Sequence, residues 1–295
     1  MILVVGATGM LGGEITRRLL EQGKQVRILI RENSPSEAMA GQGMATKAST
    51  LIEAGAQPVY GDLKDPRSLK KALEGVETVI TTANSALRGG EDNPLTVDLD
   101  GNRNLIEAAE ASGAEHFIFI SVNIANAESA YPFIKAKGIT EELCRQSSMH
   151  YTILAPAAFM EVWPAMVVGM PAQMGQPVTL IEGTKHHGAF ISRNDVAAFA
   201  VAAVDNPAAK DQHLLIGGPE VLSWHDVVHK YEQILGRPVE VQYVKMGEPV
   251  PGLPEEMSSL LAVFEMGDAD YDTIDLARAY GIHLTPFLDA MRAPN

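Results

Sequence analysis

Cysteine is almost missing from this sequence: Cys144 stands alone among 295 residues, which excludes an internal disulfide framework. Long apolar runs are missing as well. The best candidate, VAAFAVAAV at 196–204, falls far short of the roughly 20 residues that cross a bilayer, so no membrane association is expected. Cations are the minority charge, with 23 Lys and Arg against 37 Asp and Glu. The formal net charge of −14 opposes a phosphate backbone and no local basic cluster offsets it, so direct nucleic-acid binding is not expected. His186 and His187 in GTKHHGAF have no carboxylate or third ligand at metal spacing, which argues against a metal site. No charged leader separates Met1 from the apolar ILVV, and with the single cysteine this makes the cytoplasm the expected compartment.

What is present is enough apolar material, 46% of the chain, for one large core or two smaller ones. Short β-branched runs, ILVV (2–5), QVRILI (25–30), QPVY (57–60), ETVITT (77–82), HFIFIS (116–121) and YTILA (151–155), alternate with stretches such as Leu11, Ile15 and Leu19, spaced for one helix face. This βαβ rhythm predicts an α/β fold, a Rossmann-type doubly wound parallel sheet over residues 1–155. After about residue 156 the rhythm changes. The Met-, Pro- and Ala-rich PAAFMEVWPAMVVGMPAQMG is followed by the strand-like PVTLIE, a helix from SRNDVAAFAVAAV and a Ser-x-x-Asp helix start at Ser223 and Asp226. Residues 156–295 are expected to form a smaller C-terminal α+β substrate lobe interleaved with the sheet edge.

The strongest motif, VVGATGMLGG, follows the first strand and opens an amphipathic helix. Gly6 permits a tight turn, Gly9 lets backbone N–H groups approach a pyrophosphate, and Gly12 lets the helix pack closely on the strand. Gly6, Thr8, Gly9, Met10 and Leu11 are the expected pyrophosphate contacts. At the end of the second strand, where an NAD-preferring site carries an acidic residue for the ribose hydroxyl, this chain has Arg31, and a guanidinium there favours the 2'-phosphate of NADP(H). Asp62 in YGDLKD is placed to accept a bond from the adenine amino group, and Ala83 and Asn84 in TTANSA to line the second ribose.

GATGMLG, VRILIRENSPS, GAQPVYGDLKDPRSLKKALEGVETVITTANSA, NLIEAAEASGAEHFIFISV and AKGITEELCRQSSMHYTILAPAAFME together resemble the NmrA-like family of atypical short-chain dehydrogenases/reductases. ISRNDVAAFAVAAVDNP, HLLIGGPEVLSWHDVV and LGRPVEV extend the likeness to nearly the whole chain. That group includes isoflavone reductase-like enzymes, NADPH-dependent quinone reductases and redox-sensing regulators. The resemblance therefore implies a dinucleotide site and leaves catalysis and sensing both open.

YPFIKAKGITEE contains a literal Tyr-x-x-x-Lys, Tyr131 and Lys135, of the kind that carries proton transfer in short-chain dehydrogenases. If a helix starts at Pro132, Lys137 shares an apolar stripe with Phe133, Ala136, Thr140, Leu143 and Cys144, while Lys135 falls among Glu142 and Arg145 on the wet side. The proline also holds Tyr131 out of helical geometry. The resemblance, argued separately, places the functional lysine at Lys137, with Glu141 as its glutamate and Phe133 in the usual tyrosine slot. Lys137 then acts as acid or base beside the nicotinamide, or only bonds the nicotinamide ribose; both roles stand at this point. Ser121, at the end of the fifth strand, is expected to be positional.

Met166, Met170 and Met174 recur every four residues, a spacing shared by cores and plastic pocket walls. Phe159, Trp163 and Met166 are the residues expected to form an apolar roof over the nicotinamide and receive the substrate. The reading that results is an NADP(H)-binding reductase delivering hydride to a small quinone or conjugated carbonyl. Its rival is a non-catalytic NADP(H) sensor acting through a protein partner.

Overall fold

Six of the apolar runs become parallel strands: β1 (Ile2–Val5), β2 (Val26–Ile30), β3 (Gln57–Tyr60), β4 (Thr78–Thr81), β5 (His116–Ile120) and β6 (His150–Pro156). The computed structural model describes residues 1–32, 45–86, 88, 90–264, 271 and 273–292. The strands alternate with helices α1 (Met10–Glu21), α2 (Ala48–Glu53), α3 (Pro66–Ala72), α4 (Asp100–Ser112) and α5 (Pro132–Gln146). The sheet order is β3-β2-β1-β4-β5-β6, with a seventh strand, Gln212–Ile216, beside β6. Every residue of β1, β4 and β5 is buried, as a sheet covered on both faces requires. β3 carries Pro58, which cannot donate to a ladder; it stands at the sheet edge, where that is tolerated.

The helix ends follow local chemistry. Asp65 accepts the Arg67 N–H and Pro66 fills the first position of α3. Pro132 opens α5 with Tyr131 as its N-cap, and Gly113 closes α4 in the left-handed conformation. Leu3, Leu69, Leu73, Leu105, Phe117 and Phe119, all without solvent exposure, anchor the core beneath these helices.

The chain divides into two compact units, Met1–Ala155 with Val196–Leu214, and Pro156–Asp195 with Leu215–Asn295. The second contains a parallel pair (Val178–Ile181 with Val241–Val244) and an antiparallel pair (His187–Gly188 with Leu222–Ser223). Its helix Trp224–Leu235 starts on the Ser223–Asp226 capping box and ends at Gly236. Its core gathers Met160, Val168, Phe190, Trp224, Tyr231 and Phe287. Among the described residues, no helix is long and apolar enough to cross a membrane.

Candidate dinucleotide site

Apart from Lys137 on α5, the residues expected to hold a dinucleotide follow the carboxyl ends of parallel strands: Gly6 after β1, Arg31 after β2, Asp62 after β3, and Ala83 with Asn84 after β4. The strand order reverses between β1 and β4, and an open α/β sheet leaves a crevice beside such a reversal. The glycine turn lies there. Gly6 has φ +81°, a conformation other residues rarely adopt, and a Cβ on it would stand 2.5 Å from Thr82 Oγ1. A Cβ on Gly12 would overlap the Gly6 carbonyl oxygen, so only glycine lets α1 begin this close to the turn. Gly9 is the N-cap of α1, and the first turn has neither a side-chain cap nor an acidic residue. Among the described residues no side chain accepts the Leu11 and Gly12 N–H groups, which suits them to an anion at a positive helix terminus. Thr8 lies beside them, its carbonyl accepting the Thr46 N–H at 2.9 Å.

Arg31 is not an isolated strand-end cation. Its Nη1 donates to Asp92 Oδ2 at 2.6 Å, Lys64 Nζ donates to Asp92 Oδ1 at 2.8 Å, and Arg88 Nη1 lies 3.5 Å from Oδ2. Three cations from the ends of β2, β3 and β4 therefore converge on one carboxylate. Burial alone would raise the Asp92 pKa; bonds from Lys64 and Arg31 overcome it and hold the group at about 2. Burial, reinforced by the Arg31 charge, lowers the Arg88 pKa. Asp62, assigned to adenine from sequence, spends Oδ1 on the Lys64 N–H within its own turn, at 2.8 Å. Asn84 Oδ1 likewise accepts the Ala86 N–H at 3.0 Å, and Ala83 is buried.

Lys137 lies on the buried side of α5, 3% exposed, while Lys135 and Tyr131 are exposed. Its Nζ donates to the Ile120 carbonyl at 3.1 Å and stands 3.5 Å from Asp98 Oδ1, too long for a good hydrogen bond but close for an ion pair. Phe119 and Phe133 wall it, with ring centroids 4.9 and 5.6 Å from Nζ. Burial lowers its pKa, against the opposing pull of Asp98 and Glu141. Asp98 Oδ2 accepts from both the N–H and the hydroxyl of Ser85, at 2.9 and 2.6 Å. Lys137 is thereby tied through one carboxylate to the segment after β4 that carries Ala83 and Asn84. Ser121 donates to Glu141 Oε1 at 2.6 Å, and Arg145 donates to Oε2 at 2.9 Å. Burial works against the Glu141 charge, yet bonds from His213 and Ser121 lower its pKa.

Sequence reading missed Asp92, Asp98, Lys64, Arg88 and Ser85. The available signal was the stretch EDNPLTVDLDG after the fourth strand, where Asn93 and Thr96 form a capping box for a π-helical turn at Pro94–Leu99. That turn carries Asp98 inward, and Asp92 immediately precedes its cap.

The proposed substrate residues belong to the second unit. Phe159 bridges to Ile191, Trp163 packs edge-on against Phe264 with centroids 4.7 Å apart, and Met166 is partly buried. The four-residue methionine spacing does not produce a wall: Met170 and Met174 are exposed, because the stretch turns from a π-helix at Ala165–Gly169 into a single short helix.

The photosystem II assembly factor Ycf39 of Cyanophora paradoxa is 31% identical over 248 residues, 82% of this chain and 71% of that protein. The NAD(P)H azoreductase of Xenophilus azovorans is 29% identical over 280 residues, 92% of this chain and 88% of that protein. The NADPH-dependent quinone oxidoreductase of Escherichia coli, solved with NADPH, superposes with a TM-score of 0.78 at 22% identity over 98% of both chains, a likeness of fold. The NmrA-like family matches residues 1–285, and the chain belongs to it, an atypical short-chain dehydrogenase/reductase on a seven-stranded Rossmann-like sheet.

Proposed function

We propose that the protein is an NADPH-dependent reductase that passes hydride to a small quinone or conjugated carbonyl. The observation that carries the reading is the assembly on one sheet edge of an uncapped helix terminus, a three-cation cluster and a buried lysine. The glycine turn with the Leu11 and Gly12 N–H groups would hold the pyrophosphate, Arg31, Lys64 and Arg88 the 2'-phosphate, and Ala83 and Asn84 the inner ribose. NADPH supplies the hydride when bound. An acceptor that takes up hydride also takes up a proton, and the chain must provide it. An ammonium has three donors; Lys137 gives one to the Ile120 carbonyl and faces Asp98 as an ion pair, and we assign a remaining donor to the acceptor oxygen or the ribose. Its lowered pKa brings it nearer the range of a useful general acid. Phe133 in the tyrosine slot leaves Lys137 without a phenolic partner from that position.

The test is NADPH oxidation against a panel of quinones and enones, run beside calorimetric titration of NADPH. Turnover of at least one acceptor that is lost in Lys137→Ala supports the reading. Tight NADPH binding without turnover of any panel member would move the assignment to the second reading, an NADP(H)-dependent protein that acts on a protein partner. That reading has its own observation in the 31% identity to an assembly factor.

A further inference from the structure

The cation cluster holds an anion of its own, Asp92, on the donors that the reading above gives to a 2'-phosphate. Asp92 is only 15% exposed, less than the Arg31, Lys64 and Arg88 side chains around it. Both its oxygens are engaged, Oδ2 by the two guanidinium groups and Oδ1 by the lysine. Asp62 and Glu91 add more distant attraction on Lys64, but neither is bonded to Arg31 or Arg88. Without Asp92, three cations would crowd a partly buried corner and repel one another, as the Arg31 charge already acting on Arg88 shows. A carboxylate and a phosphate monoester compete for the same donors, since both present anionic oxygens to guanidinium forks. The phosphate brings more charge and a third oxygen.

Resting on the dinucleotide reading above, we infer that Asp92 is a specificity-determining residue: an internal counter-anion that a 2'-phosphate must displace, and that a ligand without this phosphate leaves in place. Asp92 keeps Arg31, Lys64 and Arg88 gathered in the free protein. A 2'-phosphorylated nucleotide takes over their donors and sends the carboxylate toward water, next to the exposed Gly90 and Glu91. A nucleotide with a free ribose hydroxyl meets cations that are already paired. Asp92 therefore narrows the difference in affinity between NADPH and NADH that the three cations would otherwise create.

The experiment measures binding rather than turnover, so it is independent of whether the protein is a catalyst. NADPH, NADH, adenosine 2',5'-bisphosphate and 5'-AMP are titrated calorimetrically into the wild type, Asp92→Asn and Asp92→Glu at low and high salt. Asp92→Asn is expected to bind the two 2'-phosphorylated ligands about tenfold more tightly, the order of one charged hydrogen bond no longer given up, and to leave the other two within about threefold. Asp92→Glu keeps an anion and should stay near the wild type. The gain should shrink as salt screens the cluster. Weaker binding of the 2'-phosphorylated ligands by Asp92→Asn would make Asp92 an organiser of the cations and overturn the inference. Equal binding in all three proteins would also overturn it, while leaving the dinucleotide site intact. If neither nucleotide fragment binds any of the three, the cofactor reading falls and the inference falls with it.

Discussion

Lys137 and Asp98 form an ion pair in the interior of the first unit, 3.5 Å apart and 3% and 0% exposed. Burying both charges is costly, and their attraction offsets that cost only while both are present. Lys137→Met alone should therefore destabilise the protein by about 3–5 kcal/mol, since Asp98 would remain charged with Ser85 as its main support. Adding Asp98→Asn should recover much of the loss, because the amide oxygen can still accept from Ser85. Urea unfolding of the wild type, both single variants and the double variant measures the coupling. Additive single effects would mean that the two charges do not sense each other.

Arg31 reaches Asp92 from the end of β2 and supplies the shortest bond in the cluster, at 2.6 Å. Arg31→Glu replaces a donor with an anion beside Asp92, so a 2'-phosphate should be repelled where it was held. NADPH affinity should fall by more than about tenfold while NADH changes far less, erasing or inverting any preference for NADPH. Calorimetry with both cofactors reads this directly. An equal loss for both would place Arg31 outside the 2'-phosphate site.

His116, 2% exposed at the start of β5, offers Nε2 to Thr152 Oγ1 at 2.8 Å, and that hydroxyl in turn donates to the Ala209 carbonyl at 2.6 Å. Burial lowers its pKa to about 4, with Lys210 and His150 adding to the shift. Its value in the unfolded chain is about 6.5. Between these two values the unfolded chain holds more protons than the folded one, so stability rises with pH across that window. The contribution is complete above about pH 6.5 and is lost progressively toward about pH 4, on the order of 3 kcal/mol in all. The slope of unfolding free energy between pH 7 and 4 should flatten in His116→Gln. An unchanged slope would assign the acid sensitivity to other groups.

Trp163 packs edge-on against Phe264 in the second unit. Trp163→Ala removes that ring contact and should lower the melting temperature, while NADPH affinity, read from the first unit, stays within about threefold. An unchanged melting temperature would mean that the contact carries no stability. Thermal unfolding and NADPH titration on the same preparation separate the outcomes.

The glycine turn and the strands of the large sheet were legible because their causes are local. Gly6 needs a positive φ, Gly12 a close approach, and β1, β4 and β5 need apolar residues on both faces. Lys137 was legible for a related reason, since a 3.6-residue period separates it from Lys135 whatever else the chain does. The ionic partners were not. Asp92 and Asp98 lie in an acidic, polar stretch that reads as solvated surface, and Asp92 meets Arg31 across 61 residues of chain. Only the convergence of strand ends brings them together. The seventh strand was hidden for a different reason: HLLI is short, and nothing within it says that it lies beside β6.

The literal Tyr131-x-x-x-Lys135 motif and the helix geometry disagree about which lysine does chemistry. Lys135 and Tyr131 are exposed, and the Lys135 backbone N–H merely continues the helix from the Tyr131 carbonyl at 2.9 Å. Lys137 is buried between Phe119 and Phe133, bonded to the carbonyl that ends β5 and paired with Asp98. A positioned general acid contributes on the order of 10²-fold or more, so Lys137→Ala should lower kcat by at least that factor, whereas Lys135→Ala and Tyr131→Phe should each change it by less than about threefold. Loss of stability at Lys137 could mimic this result, and Lys137→Arg guards against it. An arginine keeps the positive charge facing Asp98 but does not give up a proton at working pH, so the fold should survive while turnover stays low. If Lys137→Arg restores turnover, the ammonium only holds the ribose and balances Asp98. If Tyr131→Phe and Lys135→Ala abolish turnover while Lys137→Ala does not, the chemistry belongs to the exposed pair and the assignment of Lys137 is wrong.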